Sequence, residues 1–361
     1  MSPSVPEETA LSPKLAAPQH RPRPLPLFLE LLRSETAAEP VRMGRALEGL
    51  RMYQEAPREP PRAPMPAVAE RCGAALRDYG GSGPPVVFIP SLINPPTILD
   101  LAPERSLLRW LAMQGVRPLL LDWGWDVEAR RALGVGGHIE DIAVPLIAAL
   151  GERPALVGYC LGGTMALAAA ARVRAPSVAT IAAPWHFDGF PAESRGTLAK
   201  LWAGAQPTAK ALGVLPMEVL QSAFWSLDPA RTVSKFEGFA ALEPGSDKGK
   251  TFVTLEDWAN DGPPLGEAAA REMFEGFFAA DLPGRGAWTV AGQTVDPAAL
   301  PCPLFNIVSA TDRIVPEDSA PRAGETLRLQ QGHVGMVVGS RARESLWEPL
   351  AAWLSRNAGG C

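Results

Sequence analysis

Apolar residues follow two rhythms along this chain. From Arg71 onward, short unbroken apolar runs alternate with stretches where apolar side chains return every third or fourth position. The runs predict buried strands at Ala74 to Tyr79, Pro85 to Ser91, Arg117 to Trp123, Ala155 to Tyr159, Ser177 to Ala183 and Pro303 to Ser309. The stretches between them predict helices at Arg105 to Gln114, His138 to Leu150, Gly162 to Arg172 and Ser340 to Leu354. Strands that are apolar throughout, separated by helices, predict a mostly parallel sheet with helices on both faces, an α/β fold.

The alternation breaks off at Pro184 and returns at residue 301. Between them, residues 184–300 hold helical pieces, a polar loop from Glu243 to Lys250, and Trp185, Trp202, Trp225, Trp258 and Trp288. This predicts an inserted cap over the carboxyl edge of the sheet. The core is then residues 67–183 and 301–361. The tryptophans fit an apolar channel and fit the interior of the cap equally well.

Residues 1–66 are of a different kind. Prolines and charges crowd residues 1 to about 24 and predict a loose tail. Leu27, Phe28, Leu31 and Leu32 share one face of a short helix, and Met43, Leu47 and Leu50 share a face of a second. A second proline-rich stretch runs from Ala56 to Pro66. The apolar helix faces require cover, from the main domain or from a partner subunit.

At 361 residues, with 47% hydrophobic and 20% charged residues, the chain has the make-up of an ordinary globular protein. A net charge of -5 gives no electrostatic reason to expect nucleic acid or an anionic membrane as partner. The N-terminus lacks the basic segment and apolar run of a signal peptide, and no apolar stretch is long enough to span a bilayer. Cys72, Cys160, Cys302 and Cys361 show no spacing that suggests zinc or a redox pair. Neither a metal nor a cofactor is expected, and few cysteines argue for a reducing cytoplasm.

One of those cysteines sits in Gly158-Tyr-Cys160-Leu-Gly162, between an apolar strand and an alanine-rich helix. This is the spacing of a nucleophile elbow, with cysteine in place of serine. The strained turn needs neighbours almost free of side chains, and the following helix aims its N-terminus at the sulfur. Backbone amides there favour both a thiolate and an oxyanion. A lone Gly-x-Cys-x-Gly also fits a buried cysteine in a glycine-rich turn, so the decision lies elsewhere in the chain.

Asp312 follows the strand Pro303 to Ser309, and His333 stands in the glycine-flanked segment Gln330-Gln-Gly332-His333-Val-Gly335. Nucleophile, acid, histidine is the chain order of α/β-hydrolase folds. In these roles His333 removes the thiol proton of Cys160, and Asp312 fixes the imidazole tautomer and steadies its charged form. The other histidines fit less well: His20 is in the loose tail, His138 opens a helix, and His186 borders the cap. An oxyanion hole needs two amide donors. Leu161, directly after the nucleophile, supplies one, and the turn Pro90-Ser-Leu-Ile-Asn94 supplies the other, with Leu92 at the expected position.

On these motifs the chain resembles the polyhydroxyalkanoate synthases. The resemblance is carried by Pro90 to Leu101, Leu121-Asp-Trp-Gly124, Gly158 to Thr164, Asp312-Arg-Ile-Val-Pro316 and Gly332-His-Val-Gly335. Within the cap it continues through Leu255-Glu-Asp-Trp-Ala-Asn-Asp261 and Val290 to Asp296. The length is similar to that of the short synthase subunits that act with a second subunit. The resemblance implies Cys160, Asp312 and His333 as the triad, a 3-hydroxyacyl-CoA substrate with release of CoA, and a growing polyester chain. It further implies a second synthase subunit or a homodimer, and a cytoplasmic place at the polyester granule surface. One departure is Arg313, where the synthases commonly carry histidine. That leaves open a synthase-like hydrolase, either a thioesterase or a polyester depolymerase, while the N-terminal helix faces leave open a partner-dependent granule subunit.

Overall fold

The computed structural model describes residues 21–357. Of the loose tail, residues 1–20 lie outside the described residues, as do His20 and Cys361. The described chain forms two compact units, residues 62–227 with 261–357, and residues 21–61 with 228–260.

The larger unit is built on an eight-stranded sheet. Its strands in chain order are β1 Ala67–Arg71, β2 Ala74–Asp78, β3 Pro85–Ile89, β4 Arg117–Asp122, β5 Ala155–Tyr159, β6 Val178–Ile181, β7 Leu304–Ser309 and β8 Glu325–Leu329. Their spatial order is β1-β2-β4-β3-β5-β6-β7-β8. β2 runs antiparallel to β1 and to β4, and every other neighbouring pair is parallel. Residues of β3, β5 and β6 are all buried, as expected of parallel strands covered on both faces.

Two strands carry no apolar run in the sequence. β1 is almost wholly exposed and pairs only with β2 across a tight turn at Cys72 and Gly73, both with positive φ. Such a turn matches the twist of a two-stranded hairpin. β8 is an edge strand whose polar residues face solvent, with Leu329 buried.

The helix expected over His138 to Leu150 starts earlier, at Val135, and passes through a π turn at Ile139–Ala143. Pro145 has no amide hydrogen to give Asp141, and the guanidinium of Arg71 donates to that carbonyl instead.

In the smaller unit, helices Leu25–Glu35 and Pro40–Glu55 pack with Pro229–Ala240 and Asp247–Ala259. Here the expected apolar faces need correction. Phe28 and Leu32 are buried on the first helix, but Leu27 is 53% exposed. On the second, Ala46, Gly49, Leu50 and Tyr53 are buried, whereas Leu47 is 43% exposed. Close backbone approach decides this: a Cβ on Gly49 would stand 1.9 Å from the Phe236 carbonyl oxygen. Around that contact Phe28 and Tyr53 place their rings edge-on to Phe236, at 5.0 and 5.8 Å. The Tyr53 hydroxyl donates to Asp257 at 2.7 Å, and Arg58 donates to both oxygens of the same carboxylate.

Candidate active site

β3, β5, β7 and β8 are parallel, so the loops that follow them emerge at one edge of the sheet. Cys160 follows β5 directly, and Asp312 lies in the loop after β7. His333 lies in the loop after β8, and Leu92 in the turn after β3.

Cys160 has φ 56 and ψ -133, a strained conformation for a residue with a side chain. The sharp turn into helix Leu161–Val173 depends on glycines. A Cβ on Gly158 would stand 2.3 Å from the Gly162 carbonyl oxygen, and one on Gly162 would stand 2.0 Å from that of Ile89. One on Gly163 would stand 2.2 Å from the Ala183 Cβ. The Cys160 amide donates to the Ile181 carbonyl at 2.9 Å, anchoring the elbow to β6.

The structure brings Asp312 and His333 together. His333 Nδ1 lies 2.7 Å from Asp312 Oδ2, with both side chains buried. The other carboxylate oxygen accepts the amides of Ile314 and Val315, at 2.8 and 3.0 Å. Asp312 is thereby held as a carboxylate of fixed orientation, and Nδ1 carries the proton. That leaves Nε2 as the ring nitrogen not engaged by Asp312, and Cys160 is near enough to act on the ring electrostatically. Burial alone would lower the basicity of His333, but the Asp312 and Cys160 charges outweigh it and push the pKa up to about 10.

Tyr159 is a neighbour that sequence reasoning did not single out. Its ring stacks on His333 at 5.0 Å, and its hydroxyl donates to the His333 carbonyl at 3.3 Å. The pattern Gly-x-Cys left this position unspecified, so no signal marked it.

The remaining histidines sit in other surroundings. His138 is buried edge-on to Trp123, its Nδ1 bonded to the Gly134 carbonyl at 2.8 Å, and burial lowers its pKa to about 4. His186 is lowered by burial and by Arg322, and its amide donates to the Ser319 carbonyl.

Leu161 and Leu92 are both buried at this edge. Neither backbone amide has a hydrogen-bond partner among the described residues. The Gly162 backbone abuts Ile89 and Pro90, which sets the helix start against the turn that carries Leu92. Residues of the inserted stretch reach the same turn: the Asn94 side-chain amide donates to the Asp261 carbonyl at 3.3 Å.

Trp185, Trp202, Trp225 and Trp288 are buried, while Trp258 is half-buried. The indole N–H groups of Trp202 and Trp288 donate to Glu275 and Glu272, at 2.9 and 2.8 Å.

No protein-family profile matches the chain. Among curated proteins it is similar to the poly(3-hydroxyalkanoate) polymerase subunit PhaC of Allochromatium vinosum. The identity is 28% over 293 residues, covering 75% of this chain and 80% of the relative. The subunit of the same name from Thiocystis violacea is 25% identical, over 76% of this chain and 81% of its own. Among solved structures, a thermophilic esterase from Thermogutta terrifontis superposes with a TM-score of 0.50 at 15% identity, covering 83% of this chain and 100% of the esterase. The fold is that of the α/β hydrolases, and the curated relatives support an enzyme with acyltransferase or polymerase activity. Among the described residues no helix is long and apolar enough to cross a membrane.

Proposed function

We propose that this relative of the polyhydroxyalkanoate polymerase subunits is itself a polyhydroxyalkanoate synthase-like acyltransferase that works through Cys160, His333 and Asp312. The observation that carries the proposal is the 2.7 Å His333–Asp312 pair, set at the same sheet edge as a cysteine held at a strained elbow.

The chemistry follows from the geometry. With the Cys160 thiol proton already resting on His333, as the raised basicity of that ring favours, the sulfur attacks the thioester carbonyl of a 3-hydroxyacyl-CoA. The oxyanion that forms is held by the amides of Leu161 and Leu92. The carbon–sulfur bond to CoA breaks, and the leaving thiolate takes the proton back from His333. The products are free CoA and an acyl thioester on Cys160. A hydroxyl from a second hydroxyacyl group or a chain end then gives its proton to His333 and attacks that thioester. An ester bond forms and the Cys160 sulfur is released.

Exchange of one thioester for another costs little, which suits cysteine to the first step. Water competes at the second, and residues 184–300 are proposed to exclude it as a cap. The place of action is proposed as the cytoplasmic surface of a polyester granule, with a second synthase subunit or a second copy of this chain as partner. Incubation with 3-hydroxybutyryl-CoA, following free CoA, soluble hydroxy acid and insoluble polymer separately, tests the reading. Polymer with CoA supports it, whereas soluble hydroxy acid alone identifies a hydrolase.

A further inference from the structure

The motif Leu121-Asp-Trp-Gly124 takes no part in the chemistry above, yet its contacts lead back to it. Asp122 accepts the Gly124 amide at 3.0 Å and pairs with Arg77 at 2.6 Å, which closes a tight turn after β4. Gly124 has φ +69, and a Cβ there would stand 2.1 Å from the Gly73 carbonyl oxygen. Between them Trp123 is 3% exposed, with His138 edge-on to its ring at 5.7 Å. Its indole N–H donates to the carbonyl of Pro90 at 3.1 Å. Pro90 is the residue that opens the oxyanion turn. Within that turn the Ser91 hydroxyl accepts the amide of Ile93 at 3.2 Å.

These two bonds act on either side of Leu92. The indole fixes the peptide that enters the turn, and the serine oxygen consumes the amide that follows. Pro90, Pro95 and Pro96 carry no amide hydrogen at all. We propose that Trp123 and Ser91 are positioning residues for the oxyanion hole, holding the Leu92 amide as the donor this turn presents to the reacting carbonyl. The inference rests on Cys160 being the nucleophile.

Two reactions of the same sulfur test it. Attack on a thioester builds charge on a carbonyl oxygen and depends on the hole. Alkylation by iodoacetamide forms a carbon–sulfur bond as iodide leaves, with the thiol proton passing to His333, and no oxyanion develops. Trp123→Phe keeps the ring against His138 and removes the N–H, and Ser91→Ala removes the acceptor. Each is expected to slow acylation of Cys160 by 3-hydroxybutyryl-CoA about 10- to 100-fold. The rate and pH profile of alkylation should stay within about twofold of the parent, and Ser91→Thr should restore acylation. Unchanged acylation in both variants, or acylation and alkylation falling together in folded protein, overturns the inference. If Trp123→Phe fails to fold, the Ser91 variants decide by themselves. Failure of the underlying reading looks different: in the unsubstituted protein both reagents would then label a residue other than Cys160.

Discussion

The hydroxyl of Ser309, the last residue of β7, donates to the carbonyl of Gln331 at 2.6 Å. It ties the strand that leads to Asp312 to the loop that carries His333. Thr311 adds a second tie, its hydroxyl donating to the Gln330 carbonyl at 2.8 Å. The Asp312–His333 distance is therefore set by bonds beyond the pair as well as by the pair itself. Ser309→Ala is expected to cost about 1 kcal/mol of stability. It should lower the turnover for CoA release about tenfold at unchanged KM, because a small misplacement of the base is amplified in rate. Steady-state kinetics beside thermal unfolding check this, and equal turnover at lowered stability would assign Ser309 to packing alone.

Removing the proposed base should act on chemistry directly. His333→Gln is expected to lower CoA release by about 10²- to 10⁴-fold. Asp312→Asn should be impaired as well, since the amide leaves Nδ1 without its charged partner. His186→Ala should retain activity, since burial and Arg322 make that ring less basic rather than more. Stopped-time assays of all three variants, with circular dichroism to verify folding, provide the comparison.

The raised pKa of His333 has a consequence for stability. Its folded value near 10 lies above the ordinary histidine value of about 6.5. The charged ring therefore favours the folded state most below that ordinary value, and this contribution is lost as pH rises toward 10. Denaturant unfolding of the parent and of His333→Gln should show the largest stability gap below about pH 6, narrowing steadily toward pH 10. A gap that widens with pH would contradict the Asp312–His333 pairing.

Glycine contacts separate the two units. Gly162→Ala places a Cβ against the Ile89 carbonyl and should abolish acylation along with much of the core stability. Gly49→Ala meets the Phe236 carbonyl in the other unit and is expected to cost about 1–3 kcal/mol through backbone displacement. Thermal unfolding followed by tryptophan fluorescence measures both. An unaffected Gly49→Ala variant would mean that the helices are free to move apart.

Much of the core was legible because parallel strands buried on both faces leave unbroken apolar runs, as in Val86 to Ile89 and Leu156 to Val157. β1 and β8 escaped notice for the opposite reason: at the sheet margins they need little apolar surface. The pairing of Asp312 with His333 was legible from their order after the strands, since strand ends and glycines mark their places. Tyr159, Ser309 and Trp123 were not, because their parts depend on partners far along the chain. On the N-terminal helices the periodic apolar positions held in part: Phe28, Leu32 and Leu50 are buried, whereas Leu27 and Leu47 are exposed. Leu47 lies exposed where the small residues Ala46 and Gly49 allow contact, a preference that hydrophobicity alone does not encode.

In the proposed mechanism Cys160 carries the acyl group. The direct measurement is mass spectrometry of the intact protein and its peptides after brief mixing with 3-hydroxybutyryl-CoA. A hydroxyacyl adduct is expected on the peptide containing Cys160, formed with release of CoA, with no adduct and no CoA release from Cys160→Ala. CoA release that persists in Cys160→Ala, or an adduct located on Cys72 or Cys302, would contradict this mechanism.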